Sequence, residues 1–427
     1  MIRSRSSSSA PPETAPPPDG LPGLRGRGFA LLIAATAVGM TGFAAVLPLV
    51  PLWASRGGAG EFGAGGTTAA FMLTTVLTQL CMPWLLERGG GYRWAFPVGA
   101  FVMGAPTPLF PATTDLAPLI ALSAVRGVGF GMVTVAGTAL AARLVPGDQM
   151  GRATGYYGLA VGLPQVLILP GGVGVALNLG FDTAFWITGL CSVAGSALSA
   201  GVWFADGGRN RPALRGAGRG RGSAARTGRV PFSALAAPLV LMLLTASAAS
   251  AVVTFVAIPL EGAAWLVSGV LATYALGAVV GRWSAGSLHD RLRRSLLLMP
   301  GVAVAAAGTA LTSAALWWQD DGGRPGVGVA VLAVAGAAVF GLGFGAVQNE
   351  TVTLMLNRAG PAGFGRASAV WNIGFDGGTG AGAMGLGLVI QLLGYGPAFA
   401  LTAVALAAAL PLARAGGPVR SGAETRR

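Results

Sequence analysis

Three ionisable residues stand in apolar surroundings, and they carry most of the chemistry this chain can do. Asp376 lies inside GRASAVWNIGFDGGTGAGAMGLG (365–387), ten residues beyond Arg366. Glu350 closes the cluster Gln348-Asn349-Glu350, eight residues before Arg358. Arg126 interrupts SAVRGVGFG (123–131). At 1.5 Å per helical residue, Asp376 is ~15 Å and Glu350 ~12 Å from the nearest preceding or following arginine. Arg126 is comparably central in its own run. A charge near mid-bilayer costs ~2.5–3.5 kcal/mol on insertion scales, so each of the three needs a partner, a wet cavity or a neutral form. A carboxyl whose surroundings alternate between dry and wet can take up and release a proton.

Each residue also has a plainer reading. Asp376 can hydrogen-bond backbone amides freed where Asp-Gly-Gly loosens a helix. Glu350 can do likewise, and Arg126 can tie down one of the carboxylates. Gln348, Asn349, Trp371 and Asn372, with Phe375 a turn away, are candidates to line the same cavity, although aromatics in apolar runs more often pack. Glu261, after Pro259, reads as an interfacial group.

The elements that must position these residues are membrane helices. The 427-residue chain is 53% hydrophobic and 10% charged, with mean hydropathy +0.67, whereas soluble domains carry ~25% charged residues. Apolar runs of about 20 residues, each able to cross a bilayer, recur along its length. The expected spans are 28–53, 67–86, 93–112, 117–142, 151–176, 183–205, 233–258, 263–285, 295–318, 326–356, 363–391 and 395–413. The fold class is therefore all-α membrane protein. Residues 1–27 read as a disordered tail, 28–205 as a first six-helix half, 206–232 as an Arg/Gly-rich linker, 233–413 as a second half and 414–427 as a tail.

All 28 basic residues are arginine, and the net charge is +13. Their placement argues for membrane orientation rather than nucleic acid. With the amino terminus inside, 24 of the 28 arginines fall on the inner side, as the positive-inside rule requires. Both termini and the linker are thus expected in the cytoplasm, with the protein in the plasma membrane.

The two halves repeat. AVRGVGFGMV (124–133) overlays AVFGLGFGAV (338–347) at an offset of 214, and GRAT (151–154) overlays GRAS (365–368) in the same register. Gly127, Gly129 and Gly131, and their counterparts Gly341, Gly343 and Gly345, read as small residues for close helix packing. Continuing the register sets Asp376 against Gly162, so the carboxylate belongs to one half alone.

Other chemistries are excluded by what the sequence lacks. There is no lysine, hence no G-x-x-x-x-G-K-[ST] phosphate loop, and the sole histidine is His289. GVGFG sits inside an apolar run rather than after a strand, so it is no dinucleotide loop. No enzyme activity, cofactor or metal is expected. Cys81 and Cys191 read as packing residues.

The motifs carry a family resemblance. GSLHDRLRR (286–294) is similar to the loop pattern G-x-x-x-D-R-x-G-R-R of the major facilitator superfamily: Gly286, Asp290, Arg291 and Arg294 match, and Arg293 replaces the second glycine. The first-half copy keeps Arg88, Gly90 and Arg93 but has Pro83 and Glu87 at two motif positions. SAVRGVGFG resembles the family's fourth-helix pattern, and Pro170, Gly171 and Gly172 partly match its antiporter motif in helix five. The resemblance implies a twelve-helix transporter with two pseudo-symmetric six-helix halves working by alternating access. It further implies gating loops at Glu87, Arg88, Arg93, Gly286, Asp290, Arg291 and Arg294, and a proton-coupling role for Arg126. The expected function is proton-coupled export of a small amphipathic molecule by a monomer. Nutrient import by symport or uniport, and a non-transporting sensor or assembly factor on the same fold, are the alternatives. The first span carries no acid, which moves any coupling role to the second half.

Overall fold

A chain this apolar must satisfy its backbone hydrogen bonds internally, and it does so with helices. The computed structural model describes residues 23–89, 92–146, 149–205, 232–292, 297–319 and 325–415. The first six helices are α1 (Arg27–Arg56), α2 (Gly60–Gly89), α3 (Tyr92–Gly104), α4 (Leu116–Arg143), α5 (Met150–Leu179) and α6 (Phe181–Gly201). The last six are α7 (Phe232–Ser250), α8 (Ala264–Leu292), α9 (Leu298–Trp317), α10 (Val327–Ala359), α11 (Arg366–Leu393) and α12 (Tyr395–Ala408). Among the described residues, eleven stretches are long and apolar enough to cross a membrane. The helix outside that set is α2, which is as long as α1 but carries Thr67, Thr68, Thr74, Thr75, Thr78 and Gln79.

Four local features differ from the sequence reading. Residues Gly23–Arg25 form a 3-10 turn rather than tail, because the Leu24 amide donates to Gln149 Oε1 at 3.0 Å. The helical backbone continues through the expected break between α10 and α11 as one run, Val327–Leu393. That run still doubles back: Trp371 Nε1 donates to Thr351 Oγ1 at 3.0 Å, and twenty residues on a straight helix would separate them by ~30 Å. At the other end, a short helix, Leu410–Ala415, carries order past the expected tail boundary. Cys81 is exposed rather than packed, and Cys191 is half-buried. The segments 1–22, 206–231 and 416–427 lie outside the described residues.

The repeat is visible in the turns as well as the motifs. Gly180 joins α5 to α6 with φ 99°, and Gly394 joins α11 to α12 with φ 87°. The two differ by the same 214 residues as the motifs. Each amide donates back to its helix, Gly180 to Ala176 O at 3.1 Å and Gly394 to Ile390 O at 2.7 Å. A positive φ at this point favours glycine.

The core divides unevenly along the bundle. At the end where α1 turns into α2 and α7 leads to α8, one continuous apolar cluster draws on both groups of six. It includes Leu49 and Val50 of α1 with Val256 and Leu260 following α7, and Val173 of α5 with Leu266 and Val270 of α8. Phe255, Ala64 and Ile390 extend this sealed end. Toward the opposite end the clusters separate. Phe29, Leu32, Leu140 and Val202 group within the first six helices, whereas Leu241, Val302, Leu354 and Ala409 group within the last six.

Candidate functional site

Small residues bring the helices close enough to place the polar groups. A Cβ on Gly131 would lie 2.8 Å from Thr75 O of α2, and one on Gly129 would lie 2.5 Å from Gly99 O of α3. The second copy repeats this: Gly345 approaches Ala278 C of α8 at 2.8 Å, and Gly343 approaches Gly301 O of α9 at 2.5 Å. Gly127 faces Phe71 and Thr74 of α2, and its counterpart Gly341 faces Tyr274 and Ala278 of α8. Every one of the six glycines is thus a point where two backbones nearly touch.

Arg126 extends from α4 and is 3% exposed. Its Nε donates to Met103 O at 2.9 Å, while Nη2 is buried without a protein hydrogen-bond partner. The guanidinium carbon lies 5.7 Å from the ring centres of both Phe71 and Phe110. Phe71 belongs to a stack with Phe43 and Phe130, in which Phe43 and Phe130 are 4.1 Å apart. A cavity of about 20 Å³ adjoins Arg126, with Phe43, Thr67, Thr68, Phe71 and Ser123 in its wall.

Asp376 lies at a different level and is 4% exposed. Its Oδ2 accepts from Gln79 Nε2 at 2.8 Å, a bond from α11 to α2 that joins the two groups of helices. The same Gln79 nitrogen lies 3.3 Å from Thr134 Oγ1, and Gln79 Oε1 is buried with no partner among the described residues. Measured from the end opposite the seal, Gln79 and Asp376 both sit ten residues into their helices, ~15 Å deep.

A matching polar pair occupies the second repeat. Arg282 of α8 donates through Nη2 to Gln348 Oε1 of α10. Gln348 is Thr134 advanced by 214 residues, and Arg282 stands to Tyr274 as Gln79 stands to Phe71, eight residues on. The repeat therefore keeps one α2–α4 contact and its α8–α10 image but changes the chemistry from amide–hydroxyl to guanidinium–amide.

The sequence-derived residues are only partly brought together. Gln348 and Asp376 fall in polar contacts, and Glu350 is buried at 1% exposure. Asn349 faces Gly286, 3.8 Å from where a Cβ would sit. Trp371 stacks on Phe375 at 5.8 Å, and Phe375 on Phe344 at 6.3 Å, so this aromatic row ties α11 to α10. Asn372 donates to Ser368 O of its own helix at 2.9 Å and is exposed. Among the described residues Arg126 forms no ion pair; the tie to a carboxylate is absent. The side chains of Glu87, Arg88, Arg93, Asp290, Arg291 and Arg294 lie outside the described set.

Gln79 and Arg282 are the contributors that sequence reasoning missed. Both are polar residues within apolar runs, which is the same signal that marks Asp376 and Glu350.

The sealed end is closed by polar contacts around the apolar cluster. Arg56 Nε pairs with Glu261 Oε2 at 3.1 Å and stacks over Phe181 at 4.7 Å. Tyr395 Oη donates to Glu61 Oε1 at 3.1 Å, the Phe62 amide donates to Gln391 Oε1 at 3.2 Å, and Ser268 Oγ donates to Pro170 O at 3.1 Å. Apart from the stacking on Phe181, each joins one of the first six helices to the second group or the turn that follows α7.

Among the described residues, two similar groups of six long helices, sealed at one end and carrying buried polar groups between them, have the build of a polytopic membrane transporter. The chain belongs to the Major Facilitator Superfamily, whose family model matches residues 29–363. It is 30% identical over 408 residues to a chloramphenicol resistance protein of Streptomyces lividans, covering 90% of this chain and 95% of that protein. A 133-residue stretch is 30% identical to the probable anion transporter 6, chloroplastic, of Arabidopsis thaliana, spanning 30% of this chain and 25% of that protein. In fold it is similar to the nucleoside transporter NupG, with a TM-score of 0.70 at 11% identity over 91% of this chain and 99% of the other. The facilitator fold and a non-enzymatic membrane transporter follow.

Proposed function

We propose that the protein is a secondary active exporter that alternates access between the two membrane faces and exchanges protons for a small amphipathic molecule. The observation that carries the coupling half of this reading is the Gln79–Asp376 bond across the two groups of helices. With Asp376 ionised, the carboxylate accepts from Nε2 and leaves Gln79 Oε1 unpaired in a buried place. With Asp376 protonated, its O–H can donate to that same Oε1, and the acid–amide pair becomes mutually satisfied. A buried, unpaired acceptor costs ~1–3 kcal/mol, so protonation favours the arrangement that holds α2 against α11, and proton release favours their parting.

Export is supported by the likeness to the chloramphenicol resistance protein over nearly the whole chain. Partial agreement with the antiporter motif at Pro170, Gly171 and Gly172 points the same way. Half-buried Trp371 and Phe375, stacked on one face of α11, are the apolar groups on offer to an amphipathic solute. Arginine bias supports a plasma-membrane protein with both termini cytoplasmic and the sealed end outward.

Flux in proteoliposomes under an imposed pH gradient tests the proposal, with a fluorescent or radiolabelled solute. An inward proton gradient should drive export by the wild-type protein. If Asp376→Asn and Glu350→Gln both transport at the wild-type rate under the gradient, the coupling assignment fails.

A further inference from the structure

Arg126 is a buried cation that forms no ion pair among the described residues. Arginine keeps its charge in proteins, yet the nearest ring centres supply only a quadrupole at 5.7 Å. The helices that wall the adjoining cavity offer no carboxylate there. α1 and α4 contain no acid, and those of α2, Glu61 and Glu87, lie at its two ends. Instead the wall presents Thr67, Thr68 and Ser123, all at least 95% buried, beside Arg126. The Thr67 hydroxyl donates to Ala64 O at 2.7 Å, which leaves Thr68 and Ser123 as the hydroxyls to serve the cavity. Arg126 itself lines the cavity, and its Nη2 has no hydrogen-bond partner among the described residues.

A water molecule could fill the hydrogen-bonding capacity of such a place, but it leaves the charge uncompensated, and an uncompensated buried charge is costly. Hydroxyl donors beside a spare guanidinium N–H form an acceptor site for negative charge. The cavity's volume of about 20 Å³ exceeds the ~10–15 Å³ that one water-sized group requires.

We infer that Arg126, Thr68 and Ser123 form a subsite for one small monovalent anionic acceptor, either a free halide or the carboxylate end of a transported solute. The site lies toward the sealed end of α4, away from the Gln79–Asp376 contact, and does not depend on the direction of transport or on proton coupling.

The test measures thermal unfolding of the purified full-length protein in detergent at constant ionic strength. Chloride, bromide and acetate are titrated against gluconate, which is too large for the cavity, with acetamide as the uncharged analogue of acetate. A saturable rise in midpoint with a small anion, absent with gluconate and acetamide, is the expected result. A rise with halides identifies a free inorganic anion; a rise with acetate alone identifies a solute carboxylate. Arg126→Gln should abolish the rise, and Ser123→Ala or Thr68→Val should weaken the apparent affinity roughly tenfold or more, the worth of one hydrogen bond to a charged group. Equal midpoints in chloride, acetate and gluconate overturn the proposal, as does an undiminished rise in Arg126→Gln. Should Arg126→Gln fail to fold, unchanged affinity in both hydroxyl variants overturns it.

Discussion

Gln79 and Asp376, 297 residues apart in sequence, meet at 2.8 Å in a buried hydrogen bond between α2 and α11. Removing the titratable proton while keeping the shape isolates its role. Asp376→Asn should reduce gradient-driven flux by about tenfold or more, equivalent to ~1.4 kcal/mol of barrier. Solute exchange without a gradient should persist. Parallel flux and exchange measurements in proteoliposomes check this.

Gln79→Leu acts on the same contact from the other side. It leaves Asp376 buried without its amide donor, a loss of ~1–3 kcal/mol. Cysteine accessibility at positions flanking the sealed end should rise in this variant, because the arrangement that holds α2 against α11 is weakened.

At the sealed end, Arg56 and Glu261 form an ion pair whose side chains are 41% and 42% exposed. Exposed pairs contribute only ~0.2–1 kcal/mol. Glu261→Gln should therefore shift the sealed-to-open ratio by no more than about fivefold, and the exchange Arg56→Glu with Glu261→Arg should restore it. Labelling kinetics of a cysteine placed beside Tyr395 report the shift.

Backbone approach gives a sharper contrast. At Gly345 a Cβ would meet Ala278 C and Arg282 N, each at 2.8 Å, whereas at Gly162 nothing lies within 4 Å. Gly345→Ala should lower stability by ~1–3 kcal/mol, the usual cost of overpacking. Gly162→Ala should be neutral or stabilising, since alanine is the better helix former by up to ~1 kcal/mol. Thermal unfolding of the two variants in the same detergent compares them.

Much of this architecture is legible in the sequence because apolar runs and arginine placement answer to the bilayer itself. The offset of 214 found in GVGFG and GRAT also relates the turn glycines Gly180 and Gly394, and it pairs glycines that occupy matching crossings. What escapes is pairing. No spacing in the sequence links Gln79 to Asp376, since they meet only when α2 lies against α11. The junction of α10 and α11 is legible from Arg358, Pro361 and the glycines around it, but the sequence does not tell that the helical backbone runs on through it. The hydrogen bond from Trp371 to Thr351, which fastens one arm of that hairpin to the other, is likewise unmarked by any spacing in the sequence. The π-helical turn at Ala251–Phe255 has no counterpart in the hydropathy pattern.

The apolar cluster at the sealed end has a consequence for the membrane's electrical integrity. Leu49, Val173, Val256, Leu266 and their neighbours fill this end with buried apolar side chains, which offer water no hydrogen-bonding partner, and protons hop only along hydrogen-bonded water. Such a filling works as electrical insulation between the two faces of the bilayer.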